Sequence, residues 1–245
     1  MHRVLVTGSA GVIGQAVCHE LCARGYHVRG FDIQPTGGSV SESVQASITD
    51  PQAVRSAMGG MDSVVHLAAT PNPQAEFINE LVPNNLIGVY HIFEAARHSG
   101  IQRLVVASSG QVVMGLVEHH RIIQVEDEAA PTNHYGLLKL WTEQTAQWYA
   151  SEFGLSIIAV RIGAVPRKLP TADPGLVPAP NSPKDVNRLV YLSRNDAGRF
   201  FAAAVETRNV DFSVLFAISR SLGRIIFDLE PAKRLIGYEP EDTYP

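Results

Sequence analysis

Cysteine is scarce in this chain. Cys18 and Cys22 are the two present in 245 residues, too few for a disulfide framework. Their i, i+4 spacing on a helical pattern reads as packing in a reduced, cytoplasmic protein. Charge is also sparse, at 18% of residues with a net charge of −4. The lysines are Lys139, Lys168, Lys184 and Lys233, scattered rather than clustered. A nucleic-acid surface needs clustered Lys and Arg, so none is expected. Long apolar runs are missing: no window approaches the ~18 residues of a membrane span. The apolar run in "MHRVLVTGSAG" is too short for a signal peptide. No internal repeat or low-complexity tail is present. His119-His120 lacks a third ligand at suitable spacing, so no metal is expected.

What is present is a regular alternation. Short, nearly continuous apolar runs ("RVLV", "SVVHL", "RLVVA", "SIIAV") mark strands at 3–7, 27–31, 63–67, 103–107, 155–160 and 213–217. Runs of that kind are covered on both faces. Helical periodicity marks 11–24, 51–58, 84–98 and 134–153. The alternation predicts an α/β fold, a Rossmann-type doubly wound parallel sheet of about seven strands. Six prolines between Pro166 and Pro183 break the pattern. Too little chain follows for an independent domain, so the expectation is one domain over 1–245. Substrate-binding segments at about 163–212 and 219–245 would form a small C-terminal lid. A last helix is capped at Asp228, carries Pro231 near its first turn and ends at Gly237.

The first strand runs into "TGSAGVIG", with Gly8, Gly11 and Gly14 at G-x-x-G-x-x-G spacing. Glycines here permit a tight turn and close approach of backbone to a pyrophosphate on the helix N-terminus. Ala10, Val12 and Ile13 complete that turn. Asp32 ends the second strand in "HVRGFDIQ", where a carboxylate can accept both ribose hydroxyls and repels a 2′-phosphate. With Ile33 and Gln34 following rather than a cation, NAD is expected over NADP. Asp50, in "SITDP", closes a short third strand. It fits both an adenine contact and an N-cap before Pro51. "VVHLAAT" puts Leu67, Ala68 and Ala69 where a flat cofactor would pass.

At the chemical end, "VVASSGQVV" places Ser108 and Ser109 beyond the fifth strand, at the carboxyl edge where ligands of open α/β sheets bind. Tyr135 and Lys139 follow in "YGLLK", one turn apart on the next long helix. Hydride transfer at a carbon–oxygen bond needs an acid/base for the oxygen. A phenol with its pKa near 10 must shift by about three units, or about 4 kcal/mol, to work near neutrality. An ammonium one turn away is expected to lower it by favouring phenolate. Serine would orient the reacting oxygen.

Together TGxxGxxG, Asp32, "HLAA", Asn85 in "NNLIGVYHIFEAAR", Ser109 and Tyr135-x-x-x-Lys139 resemble an extended short-chain dehydrogenase/reductase, of the NAD-dependent epimerase/dehydratase superfamily. The resemblance spans essentially the whole chain. It implies a Ser109–Tyr135–Lys139 catalytic set with Asn85 holding the geometry. It also implies NAD bound along the turn, Asp32, the Leu67–Ala69 run and Ile162, and a homodimer through the Asn85 and Tyr135 helices. Nucleotide-sugar members usually carry Asn at the position of Ala164. The short length, "VRIG", "YLSRNDAGRF" and "LEPAKRLIGYEP" are similar to uronate dehydrogenases, which oxidise a free hexuronic acid to a lactone. On that resemblance Arg188 is a candidate for gripping a carboxylate; its other reading is a solvated lid residue. Arg194 is a weaker one. The departures are Gly110-Gln111, where those relatives carry Asn-His, and Pro71 in place of a small polar contact. Gln111 could restore the lost hydrogen bonds. The expected activity is an NAD-dependent dehydrogenase of a small sugar or sugar acid. The alternatives are an epimerase retaining its NAD and a non-catalytic dinucleotide sensor.

Overall fold

The computed structural model describes residues 1–38, 40–119, 121–167, 183–221 and 223–244. Seven parallel strands form one sheet in the order β3-β2-β1-β4-β5-β6-β7. They are β1 (Arg3–Thr7), β2 (His27–Asp32), β3 (Glu42–Gln45), β4 (Ser63–His66), β5 (Arg103–Ser109), β6 (Ile157–Ile162) and β7 (Phe212–Ala217). Parallel pairing requires crossovers, and helices supply them on both faces. On one face α1 (Val12–Ala23) and α6 (Arg194–Glu206) pack with α7 (Glu230–Ile236) around Val6, Val17, Leu21, Phe200 and Phe201. On the other, α2 (Pro51–Met58), α3 (Val89–His98) and α4 (His134–Phe153) bury Leu5, Val64, Ile92, Phe93 and Tyr149. β4 and β5 are buried along their whole length, as their unbroken apolar runs predict. The α5 helix (Pro183–Leu189) follows the proline-rich segment, most of which lies outside the described residues.

The sixth strand, read at 155–160, runs two residues later, over Ile157–Ile162, and three further boundaries differ in ways that matter to the site or to the helix ends. The helix read at 84–98 begins earlier, as a wide π-type helix over Phe77–Gly88 that continues into α3. Pro83 sits inside it. The wider turn relieves the ring's clash with the preceding turn, which a regular α-helix would suffer. Glu76 caps it, accepting from the Ile78 and Asn79 N–H groups. The third strand ends at Gln45 and not at Asp50, which instead caps α2 by accepting from the Gln52 and Ala53 N–H groups. The last helix takes Leu229 as its N-cap residue. Asp228 still serves its start, accepting from the Glu230 N–H at 3.0 Å, and Gly237 ends it with φ of 67°.

Candidate active site

The strand order reverses at β1/β4, and a cleft of about 640 Å³ opens at the carboxyl edge there. That is where doubly wound sheets hold ligands. Gly8, Ala10, Gly11, Val12, Ile13 and Gly14 form its floor. Gly8 takes φ of 73°, and a Cβ on Gly14 would lie 2.0 Å from the Gly8 carbonyl oxygen. The turn therefore exists only with glycine at both places. α1 starts at Gly11 with no side-chain cap, so its first N–H groups are left for an anion. Asp32 is fixed across the turn: its carboxylate accepts from the Ala10 N–H at 3.0 Å and from the Gln34 N–H at 2.9 Å. Ile33, Leu67, Ala68, Ala69, Tyr135, Lys139 and Ile162 also line the cleft.

Of the residues expected along the cofactor, Asp50 alone is not in the lining. Sequence reasoning missed Ala46, Ser47 and Ile48, which line the cleft just past β3. Asn84 lines it too, whereas Asn85 is wholly buried behind. The Asn85 carboxamide accepts from the Thr70 N–H at 2.8 Å and donates to the Thr70 carbonyl at 3.0 Å. It thus pins the chain leaving Ala68-Ala69, while Asn84 donates to the Thr70 hydroxyl. The doubled asparagine was visible in sequence; which member faced the cleft was not.

Ser109, Gln111, Tyr135 and Lys139 converge at the other end. Ser109 ends β5, and its hydroxyl hydrogen-bonds Tyr135 and accepts from the Gln111 N–H. Lys139 is buried and donates to the Ala107 carbonyl at 2.8 Å, with its Nζ 5.6 Å from the Tyr135 ring centroid. Burial pushes Lys139 down to about 8, opposed by the charge of Glu143. Tyr135 moves opposite to expectation: burial pushes it up to about 12, and the Ser109 hydrogen bond opposes this only in part. Desolvation of the phenol therefore outweighs the one hydrogen bond that favours its ionised form.

Behind the site lies a buried ionic knot. Arg161 on β6 grips Glu143 of α4 through two 2.9 Å bonds, and Ser108 donates to Glu143 at 2.5 Å. A second polar contact, Thr7 Oγ1 to His66 Nδ1 at 2.7 Å, supports the turn. Two expected substrate contacts sit elsewhere. The Arg188 guanidinium lies 4.5 Å over the Tyr244 ring and is not in the cleft lining, whereas Arg167 is. Arg194 donates to the Arg167 carbonyl at 2.8 Å. Gly110 faces Phe227, whose Cζ would be 3.0 Å from a Cβ there.

A doubly wound parallel sheet, a glycine turn at its switch point and a phenol beside a buried amine define the class of nicotinamide-dependent oxidoreductases. The NAD dependent epimerase/dehydratase family model matches residues 4–166. The chain belongs to that family, and its cofactor is NAD. It is 29% identical to an NAD-dependent glucose-6-phosphate dehydrogenase of Haloferax volcanii, covering 98% of this chain and 93% of that one. It is 30% identical to an L-arabinose 1-dehydrogenase (NAD(P)(+)) of the same organism, over 99% and 98%. The crystal structure of uronate dehydrogenase from Agrobacterium tumefaciens superposes with a TM-score of 0.83 at 26% identity, covering 100% of this chain and 86% of that one. The helices of the described residues include none long and apolar enough to cross a membrane.

Proposed function

We propose that the protein oxidises a free sugar or sugar acid at a hydroxyl-bearing carbon. Bound NAD supplies the hydride acceptor; the glycine turn and Asp32 fit its pyrophosphate and ribose. Tyr135 Oη takes the hydroxyl proton, and Ser109 Oγ orients the oxygen. Lys139, charged below about pH 8, opposes the burial that raises the phenol. Asn85 acts through Thr70, and Gln111 faces the substrate. The observation that carries this reading is the meeting of Ser109, Tyr135 and Lys139 at the inner end of a cleft whose other end is the glycine turn. The names of the three relatives given above, each a dehydrogenase of a sugar or sugar acid, support the substrate class.

The substrate side is one domain with the cofactor side. Gly163, Ala164, Val165 and Arg167 line the cleft directly, while Phe227 shapes it from behind Gly110. Exposed Ile78, Ile87, Tyr90, Leu137 and Trp148 lie on the π-type helix, α3 and α4. An apolar face of that kind supports a homodimer through these helices. Light scattering should then show a dimer that Trp148→Glu weakens.

The deciding experiment is a screen of uronic acids, L-arabinose, glucose 6-phosphate and hydroxy acids for NADH formation. Tyr135→Phe should keep NAD binding and lose roughly 100- to 10,000-fold in turnover. A stoichiometric burst without turnover would favour an epimerase. Unchanged turnover in the variant would rule out the phenol as base.

A further inference from the structure

Gln111 stands two residues past Ser109 and lines the cleft. An amide there has two faces, one donating and one accepting. Three contacts with the start of α4 decide which one the substrate meets.

The first is a backbone approach. A Cβ on Gly136 would lie 2.6 Å from the Gln111 carbonyl oxygen, so glycine lets the helix start close against that segment. The second is a helix cap. The Gly136 N–H is a donor only, and it bonds to Asn133 Oδ1 at 2.8 Å. That fixes the Asn133 amide, because its oxygen must face the helix and its nitrogen must face away. The third follows from it. Asn133 Nδ2 donates to Gln111 at 2.9 Å, so the atom of Gln111 that receives it is Oε1. The Gln111 Nε2 then carries two N–H donors that no acceptor among the described residues takes.

We infer that Asn133 and Gln111 form a polarity relay in which Asn133 positions Gln111 so that it offers substrate N–H donors and no acceptor. The inference rests on the dehydrogenase reading and deepens it. The substrate must place a hydrogen-bond acceptor beside the reacting carbon, either a carboxylate or a hydroxyl or ring oxygen approached at its lone pairs. An amide does not titrate, so this contact is independent of pH. The uronate dehydrogenases that the chain resembles carry histidine there, which changes charge near pH 6.5.

The test separates polarity from packing. Asp is as good an N-cap as Asn, but it offers Gln111 an acceptor and so reverses the amide. Asn133→Asp should raise the substrate KM by roughly 10- to 100-fold, the effect of facing a buried acceptor with another. The KM for NAD and the melting temperature should hardly move. Asn133→Ser keeps the cap yet cannot reach Gln111, and should raise KM by no more than about threefold. Gln111→Glu inverts the polarity without touching the cap and should match Asn133→Asp, so the inference stays testable if that variant fails to fold. The probes are glucuronate, L-arabinose and glucose 6-phosphate. Equal KM values for Asn133→Asp, Asn133→Ser and the parent overturn the relay alone. No NADH from any sugar overturns the dehydrogenase reading and the relay with it.

Discussion

Lowering the pH from 7 to 5 should destabilise the protein through His66. The imidazole is buried at the end of β4, with Nδ1 against the Thr7 hydroxyl. Burial first, and the Lys139 charge second, push its pKa down from 6.5 to about 3. Between those values the unfolded chain binds the proton and the folded chain does not, so stability falls as pH drops through the window. The contribution is nearly whole at pH 7. Linkage puts the loss at about 2 kcal/mol by pH 5 and about 3 kcal/mol by pH 4. Against an ordinary domain stability of roughly 5–15 kcal/mol that is readily measured. The assay is urea unfolding at pH 7, 6 and 5 for the parent and for His66→Gln, which keeps a hydrogen-bonding side chain but cannot titrate. The variant should start less stable and then decline less steeply, by about 2 kcal/mol over the same range. Carboxylates and exposed histidines titrate alike in both proteins and cancel. Parallel declines would refute the reasoning, since His66 would then be accepting its proton in the fold without penalty.

Asp50→Ala should cost about 1 kcal/mol through the lost cap of α2 and leave NAD affinity by calorimetry unchanged; markedly weaker binding would restore the adenine contact. Gly14→Ala forces a Cβ onto the Gly8 carbonyl and should abolish NAD binding while the sheet still melts cooperatively; near-normal affinity would show that the turn can open. Lys139→Met removes the ammonium beside the phenol and should drop turnover at least about 100-fold at saturating substrate; turnover within a few-fold of the parent would remove Lys139 from the chemistry. Gly110→Asn should cost about 1–3 kcal/mol by overpacking, and much less in combination with Phe227→Ala, as a double-mutant cycle would show.

The parts of the molecule legible in sequence were those set by neighbours along the chain. Strand–helix alternation, the glycine turn, the strand-end Asp32 and the Tyr135/Lys139 spacing are local patterns, and the sheet brings them to one edge by topology. What stayed hidden depended on long-range packing or on backbone geometry. The helix read at 84–98 starts at Phe77 instead, because a wide π-type turn accommodates Pro83. Asp50 reads equally as cap and ligand; two α2 N–H groups show the cap, both on Oδ1. The pairing of Tyr135 with Lys139 was visible, but the net direction of the phenol's shift was not. It depends on how much wall surrounds the ring, against which the Ser109 hydrogen bond is the smaller effect.

The two halves of the site are held by different parts of the fold. Ser109, Tyr135 and Lys139 stand on β5 and α4, which the Ser108–Glu143–Arg161 knot ties to β6. None of those contacts involves substrate, so the chemistry can persist while specificity changes. The substrate side is shaped by a residue far along the chain. Phe227 stacks on Phe216 at 4.3 Å, and both are fully buried, so its ring has nowhere to retreat. That ring stands 3.0 Å from where a Cβ at Gly110 would lie, so a side chain there would have to push it aside. The amide of the next residue, Gln111, is held by Asn133, the N-cap of the helix that carries the phenol. Gly110 and Gln111 are thus held from two sides of the fold: Gly110 against an aromatic from the C-terminal segment, and Gln111 against Asn133 at the start of α4.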